Sequence, residues 1–390
     1  MKRILILGAI IAAAGCEKVD TGTNPSESGA DMSRYVAIGT SISMGFASDG
    51  VVSSSQQASW PKLLANDAGV AFTLPLIDSP GCPSPFASPL GSLKRLDNTS
   101  VVFPSNTCAP NSAGVVLPTQ NVAVTGQTTA EAVSSTPSAN TPASRVLASG
   151  QTQVTAMRAE NPTFVSVELG ANEIFSAFGG LVQSGVTIVP FSSFSASYQT
   201  VIDNVKATGA QALLVLLPSD VTKIPALRTG PEIASQRSAF ALLNVSVNAN
   251  CDASTNYISV LKLTSALASG ASRAAQLLGP FDLSCADGAG EDGVLTTADI
   301  NTLNSLAAQM NAFITTKATE NGYATFSLGV LYDTVKDGVT FNLGNIFTSD
   351  TPWGPRMSLD AVHPSPAGNQ ILATAAKAAI VAKYGAIAKQ

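Results

Sequence analysis

Five short apolar runs rich in β-branched residues recur along the chain: "RYVAIGT" (34–40), "QNVAVTG" (120–126), "TFVSVELG" (163–170), "QALLVLLP" (211–218) and "GYATFSL" (322–328). Amphipathic patterns with helical spacing lie between them, near 59–68, 143–159, 195–208, 299–320 and 366–384. A strand that reads as continuously apolar is buried on both faces, and helices that alternate with such strands must cover them. The pattern therefore predicts a parallel sheet inside a three-layer α/β/α sandwich. The clearest helix carries one apolar stripe, Ile300, Leu303, Ala307, Met310 and Ile314. Thr296 and Asp299 have the spacing of a capping box at its start, and Gly322 can end it.

In open sheets of this kind, sites form beyond the carboxyl ends of the strands. The first run ends in Gly39-Thr40-Ser41, the second in Thr125-Gly126-Gln127 and the third in Gly170-Ala171-Asn172-Glu173. All three should project onto one rim. A fourth element, "SLDAVHPSPAGNQ", places Asp360 and His363 three apart just before the last helix, where Pro364 and Pro366 hold the chain out of helical geometry. Such a loop can set a carboxylate against one imidazole nitrogen while the other faces Ser41. Taken singly, Ser41 and Gly126 read as turn residues, Asn172 as a loop side chain and His363 as a helix-end residue. Their joint order on predicted strand ends, with His363 the sole histidine, favours a serine nucleophile with an imidazole base.

The first sixteen residues read as an export leader rather than part of the fold. Lys2 and Arg3 precede an apolar run, Ile4 to Ala14, too short to anchor in a bilayer. The run ends in "AAGC", which resembles a bacterial lipoprotein cleavage site with Cys16 as the lipidated residue; an ordinary secretory signal is the alternative. Residues 17–33 are polar and aperiodic, as expected of a flexible tether. The body, 34–390, is expected to be a single domain with insertions. The implied location is the cell envelope, in the outer membrane or periplasm, with the lipid anchor as the membrane contact.

Charge and cysteines narrow the function further. Net charge is −5, with no basic cluster, which argues against a nucleic-acid partner. No CxxC spacing exists, and the acidic run "DGAGEDG" (287–293) does not match a calcium loop, so neither metal nor cofactor is expected. With Cys16 set aside, Cys82, Cys108, Cys251 and Cys285 form an even set suited to an oxidising compartment. Three pairings are possible. The preferred one joins Cys82 to Cys108 and Cys251 to Cys285, because each pair brackets a segment that reads as irregular, 78–118 and 246–294. Each clamp would contribute on the order of 3 kcal/mol.

The four blocks, in this order, resemble the SGNH/GDSL hydrolase family. Its Gly-Asp-Ser opening appears as Gly39-Thr40-Ser41, its second-block glycine as Gly126, its Gly-x-Asn-Asp as Gly170-Ala171-Asn172-Glu173, and its Asp-x-x-His as Asp360-Ala361-Val362-His363. Thr40 and Glu173 depart from the family pattern, each beside a working residue. The resemblance implies a flavodoxin-like sheet and a serine hydrolase of carboxylic esters, lipid esters included. It implies Ser41 as nucleophile, His363 as base and Asp360 as its partner. The oxyanion hole would be the backbone N–H groups of Ser41 and Gly126 with the Asn172 amide. Two other readings stay open: an esterase removing O-acetyl groups from polysaccharide, and a non-catalytic surface lipoprotein that keeps the fold for binding. Phe175, Phe178, Phe191 and Phe194 follow Asn172 closely; core packing is the expectation for them, with an acyl-pocket wall as the alternative.

Overall fold

The computed structural model describes residues 29–101, 108–288, 290 and 292–387. Its centre is a parallel sheet of four strands: β1 (Tyr35–Gly39), β2 (Phe164–Glu168), β3 (Gln211–Leu216) and β4 (Ala324–Ser327), in the spatial order β1-β2-β3-β4. Gly39 pairs with Glu168 across β1 and β2, which sets the first and third sequence blocks side by side. Alternate residues point to opposite faces, and both faces are covered. Val36, Ile38, Val165 and Leu214 pack into one apolar cluster, with α2 (Gln153–Ala159), α3 (Phe191–Ala207) and α5 (Thr297–Asn321) over them. Tyr35, Ala37, Leu213 and Phe326 pack into another, beneath α1 (Trp60–Ala68) and α6 (Pro366–Tyr384), and α4 (Val260–Ala275) joins that cluster from the outer strands. The predicted three layers are present.

The run 120–126 departs from expectation. It forms no regular strand, yet it follows the free edge of β1: Ala37 N–H donates to Gln120, Val122 N–H to Ala37 and Val124 N–H to Gly39. The ladder breaks where the Gly39 N–H donates to the Gln153 side chain instead of the Val122 carbonyl. With this segment counted second along the chain, the spatial order is 2-1-3-4-5, the flavodoxin order, whose switch point lies between β1 and β2. Ser41 and Asn172 emerge at that switch point.

Several local features match the sequence signals and others correct them. The capping box of α5 is present in both directions, with Asp299 N–H donating to the Thr296 hydroxyl and Thr296 N–H to Asp299, and Gly322 ends the helix at φ 69°. The pattern at 143–159 is broken into Ala143–Val146 and α2, because Gly150 takes a left-handed turn and Thr152 caps a new start. The segment 246–294 is not irregular throughout. It holds α4, which buries Leu263, Ala266 and Gly270, and strands that build two small outer sheets. The tether is shorter than expected at its body end: Ala30 N–H donates to Ala386, and Ala30 and Met32 are fully buried. The disulfides Cys82–Cys108 and Cys251–Cys285 are both formed. Cys16 and the leader lie outside the described residues.

Candidate active site

Ser41 opens a one-turn helix, Ser41–Met44, directly after β1. Gly45 closes that turn at φ 85°, a conformation that favours glycine. Gly39 is required for a different reason: a Cβ there would lie 2.7 Å from the Ser43 hydroxyl oxygen. The sequence reading placed Asp360 and His363 opposite Ser41, and the structure brings all three together. His363 Nε2 lies 2.8 Å from Ser41 Oγ, and His363 Nδ1 lies 2.9 Å from Asp360 Oδ2.

The acid is held from many directions. Asp360 Oδ1 accepts the backbone N–H groups of Val362 and His363 and the Ser358 hydroxyl, and Oδ2 accepts the Asp49 N–H at 2.7 Å. Tyr332 donates to the Val362 carbonyl and Trp353 to that of Leu359, which fixes the loop from outside. Within it Ala361 adopts φ 65°, a left-handed conformation that costs an alanine on the order of 1 kcal/mol and is held by these surrounding bonds. Burial alone would push Asp360 upward, but the charge and hydrogen bonds of His363 outweigh it and hold the carboxyl down at about 2. For His363 burial works against the charged form, and the facing Asp360 carboxylate overcomes it, so the imidazole titrates above its ordinary value.

The candidate oxyanion donors sit on the facing loops. Gly126, at φ 77°, and Asn172 line the same cavity as Ser41 and His363, a space of about 230 Å³. Two bonds tie their loops together: the Asn172 amide donates to the Gln127 carbonyl at 2.8 Å, and Thr129 N–H donates to Glu173 at 2.6 Å. Phe175 and Phe178 border this cavity, whereas Phe194 is core and Phe191 packs against Phe313.

A family model described as GDSL-like lipase/acylhydrolase matches residues 35–376. The chain belongs to this family. Three of the solved structures to which the chain is similar are as follows. One is a variant of an acetyl xylan esterase from Geobacillus stearothermophilus, at 11% identity over 93% of this chain and 99% of that one, with a TM-score of 0.40. An extracellular lipase from Streptomyces rimosus is 13% identical over 87% and 98%, with a TM-score of 0.37. A phospholipase A1 from Streptomyces albidoflavus is 13% identical over 87% and 98%, with a TM-score of 0.35. No curated protein matches the chain. Membership in the GDSL-like family supports an ester hydrolase.

Set against the GDSL-like pattern, the two departures have structural counterparts. Where the family carries Asp after the first glycine, Thr40 offers a hydroxyl, and Glu168 supplies the carboxylate from the end of β2. Glu168 accepts the Thr40 N–H at 3.0 Å, the Thr40 hydroxyl at 2.7 Å and the Ser43 N–H at 3.1 Å. It is 2% exposed, and burial pushes its pKa up despite these donors. Glu173 spends one oxygen on the Thr129 N–H, and burial raises its pKa as well. Three supporting residues were missed from sequence: Glu168, Gln153 and Asp49. Gln153 accepts the Gly39 N–H and donates to the Gln127 side chain, joining β1 to the Gly126 loop. For Glu168 a signal existed, since a carboxylate inside the run "FVSVELG" must find partners in the core. Gln153 and Asp49 carry no comparable mark.

Proposed function

We propose that this protein hydrolyses carboxylic esters with Ser41 as nucleophile, His363 as general base and acid, and Asp360 as the group that orients and charges the base. A hydroxyl is a weak nucleophile until a neighbouring base takes its proton, and His363 Nε2 is placed to do so. The imidazolium formed during attack gains from Asp360, which is ionised throughout the neutral range. The tetrahedral oxyanion would be met by the Ser41 and Gly126 backbone N–H groups and by the Asn172 amide, whose bond to Gln127 fixes its direction in advance. His363 then returns the proton to the leaving alkoxide, and water repeats the sequence on the acyl-serine.

The continuous line from Ser41 Oγ through His363 to Asp360 carries this reading, because a turn serine has no need of an imidazole whose other nitrogen is held by a saturated carboxylate. The test is hydrolysis of nitrophenyl acetate by Ser41→Ala, His363→Ala and the double variant. Each single variant should lose nearly all activity, and the double variant should be no worse, since the groups act as a unit. Wild-type rates in Ser41→Ala would make this serine a turn residue and refute the nucleophile assignment, whereas no hydrolysis by the wild type would return the protein to the reading of a non-catalytic binding lipoprotein. We propose further that the leader directs export and that Cys16 carries the lipid that holds the domain at the cell envelope.

A further inference from the structure

The Ser41 cavity does not end at the catalytic groups. Phe175, Phe178, Val362 and His363 also border a second cavity of about 380 Å³. That cavity shares Phe86, Leu90, Val101, Thr264, Leu267 and Ile346 with a third, of about 370 Å³. The three share walls in succession leading away from Ser41. The far walls have a common origin: Phe86, Leu90 and Val101 lie between Cys82 and Cys108, and Thr264 and Leu267 lie on α4 between Cys251 and Cys285. The two clamped segments face each other across them.

Building on the ester-hydrolase reading above, we infer that the two disulfide-clamped segments form a binding trough for a long aliphatic chain of the ester substrate. Water in a groove walled by Phe, Leu, Val and Ile gains little, and a hydrocarbon chain that displaces it is favoured in proportion to the area covered. A sugar chain would need polar groups along most of the walls, and besides Thr264 and His363 the second cavity sets only Asp49, Ser259, Ser265 and Asp360 among its apolar neighbours. In the third cavity the Asn244 amide is spent on the Gly270 carbonyl and the Thr264 hydroxyl on that of Val260. The outer rim is apolar too, with Leu242 87% and Leu93 48% exposed. An acetyl group would leave both outer cavities empty. The mostly apolar lining favours an aliphatic chain over a sugar chain.

Two ester series test this below their micellar concentrations: nitrophenyl esters of increasing acyl length, and acetates of increasing alkyl length. In one of them kcat/KM should climb by about fourfold per added methylene until the trough is filled, and the series that climbs identifies the arm it holds. Flat profiles in both series overturn the trough. Thr264→Trp, at the junction of the two outer cavities, should lower the ratio of dodecanoyl to acetyl ester rates at least tenfold. Ala271→Trp, which borders only the third cavity, should cut off longer chains alone. A binding measurement separates this inference from the catalytic one. Dodecanoate titrated calorimetrically into the Ser41→Ala protein should bind, and Thr264→Trp should weaken it about tenfold. Binding without ester hydrolysis by the wild type upholds the trough and refutes the catalytic reading; hydrolysis of acetate esters without dodecanoate binding does the reverse.

Discussion

Glu168→Ala should cost far more stability than its position at the end of a strand suggests. One carboxylate oxygen accepts two backbone N–H groups, those of Thr40 and Ser43, and the other accepts the Thr40 hydroxyl. Truncation strands both N–H groups in a buried turn, at about 1–3 kcal/mol each, while the hydroxyl can rotate to another partner. The expected loss is therefore about 2–6 kcal/mol. Burial pushes the Glu168 pKa above its ordinary value, so the folded state binds its proton more tightly than the unfolded state does. Its contribution to stability then falls as pH rises from the unfolded pKa through the folded one, and the alanine penalty should shrink from pH 5 to pH 8. Glu168→Gln keeps an acceptor for the two N–H groups and should lose only about 1 kcal/mol. Urea unfolding with the disulfides intact measures both variants, and nitrophenyl acetate hydrolysis reads the position of Ser41 on the same turn. A Glu168→Ala loss below about 0.5 kcal/mol, or a penalty that grows with pH, would refute the assignment of Glu168 as the anchor of the turn that carries Ser41.

Two further expectations follow from the site geometry and one from the sequence of the leader. Asn172→Ala should lower kcat for ester hydrolysis roughly 10²–10³-fold with little change in KM, because its amide acts on the oxyanion rather than on the ground state; an unchanged kcat would remove it from the hole. Activity needs neutral His363, whose pKa is raised chiefly by Asp360 against burial, so kcat/KM should rise with pH through a midpoint above 6.5. Asp360→Asn should move that midpoint down, and a midpoint that stays in place would mean the carboxylate does not set the base. Cys16→Ser should shift the protein from the membrane fraction to the soluble exported fraction, and wild type already soluble after processing would refute the anchor.

Much of the framework was legible because parallel strands buried on both faces leave little choice of residue. β1, β2, β3 and β4 all fell within the apolar runs, and Thr296, Asp299 and Gly322 mark the ends of α5 by their chemistry alone. Other regions were opaque for physical reasons. The Gln153 side chain takes the Gly39 N–H away from the strand-like run 120–126, which apolar content cannot reveal. α4 is built largely from Ala, Ser and Gly, and its packing face shows only once the outer sheets give it a partner. At the site, His363 was readable as the sole histidine, and Ser41 and Asp360 by position, one at a strand end and the other three residues before the imidazole. Gln153, Glu168 and Asp49 act through backbone groups brought near by the fold, and no local spacing encodes such contacts.

The central claim is that Ser41 is a nucleophile activated by His363. An alkyl fluorophosphonate, which reacts only with an activated serine, followed by peptide mapping, tests it most directly. The modification should fall on the peptide containing Ser41 in the wild type, and His363→Ala should abolish it while the protein stays folded. Label on a different serine, or label on Ser41 that persists at the wild-type rate in His363→Ala, would contradict the account.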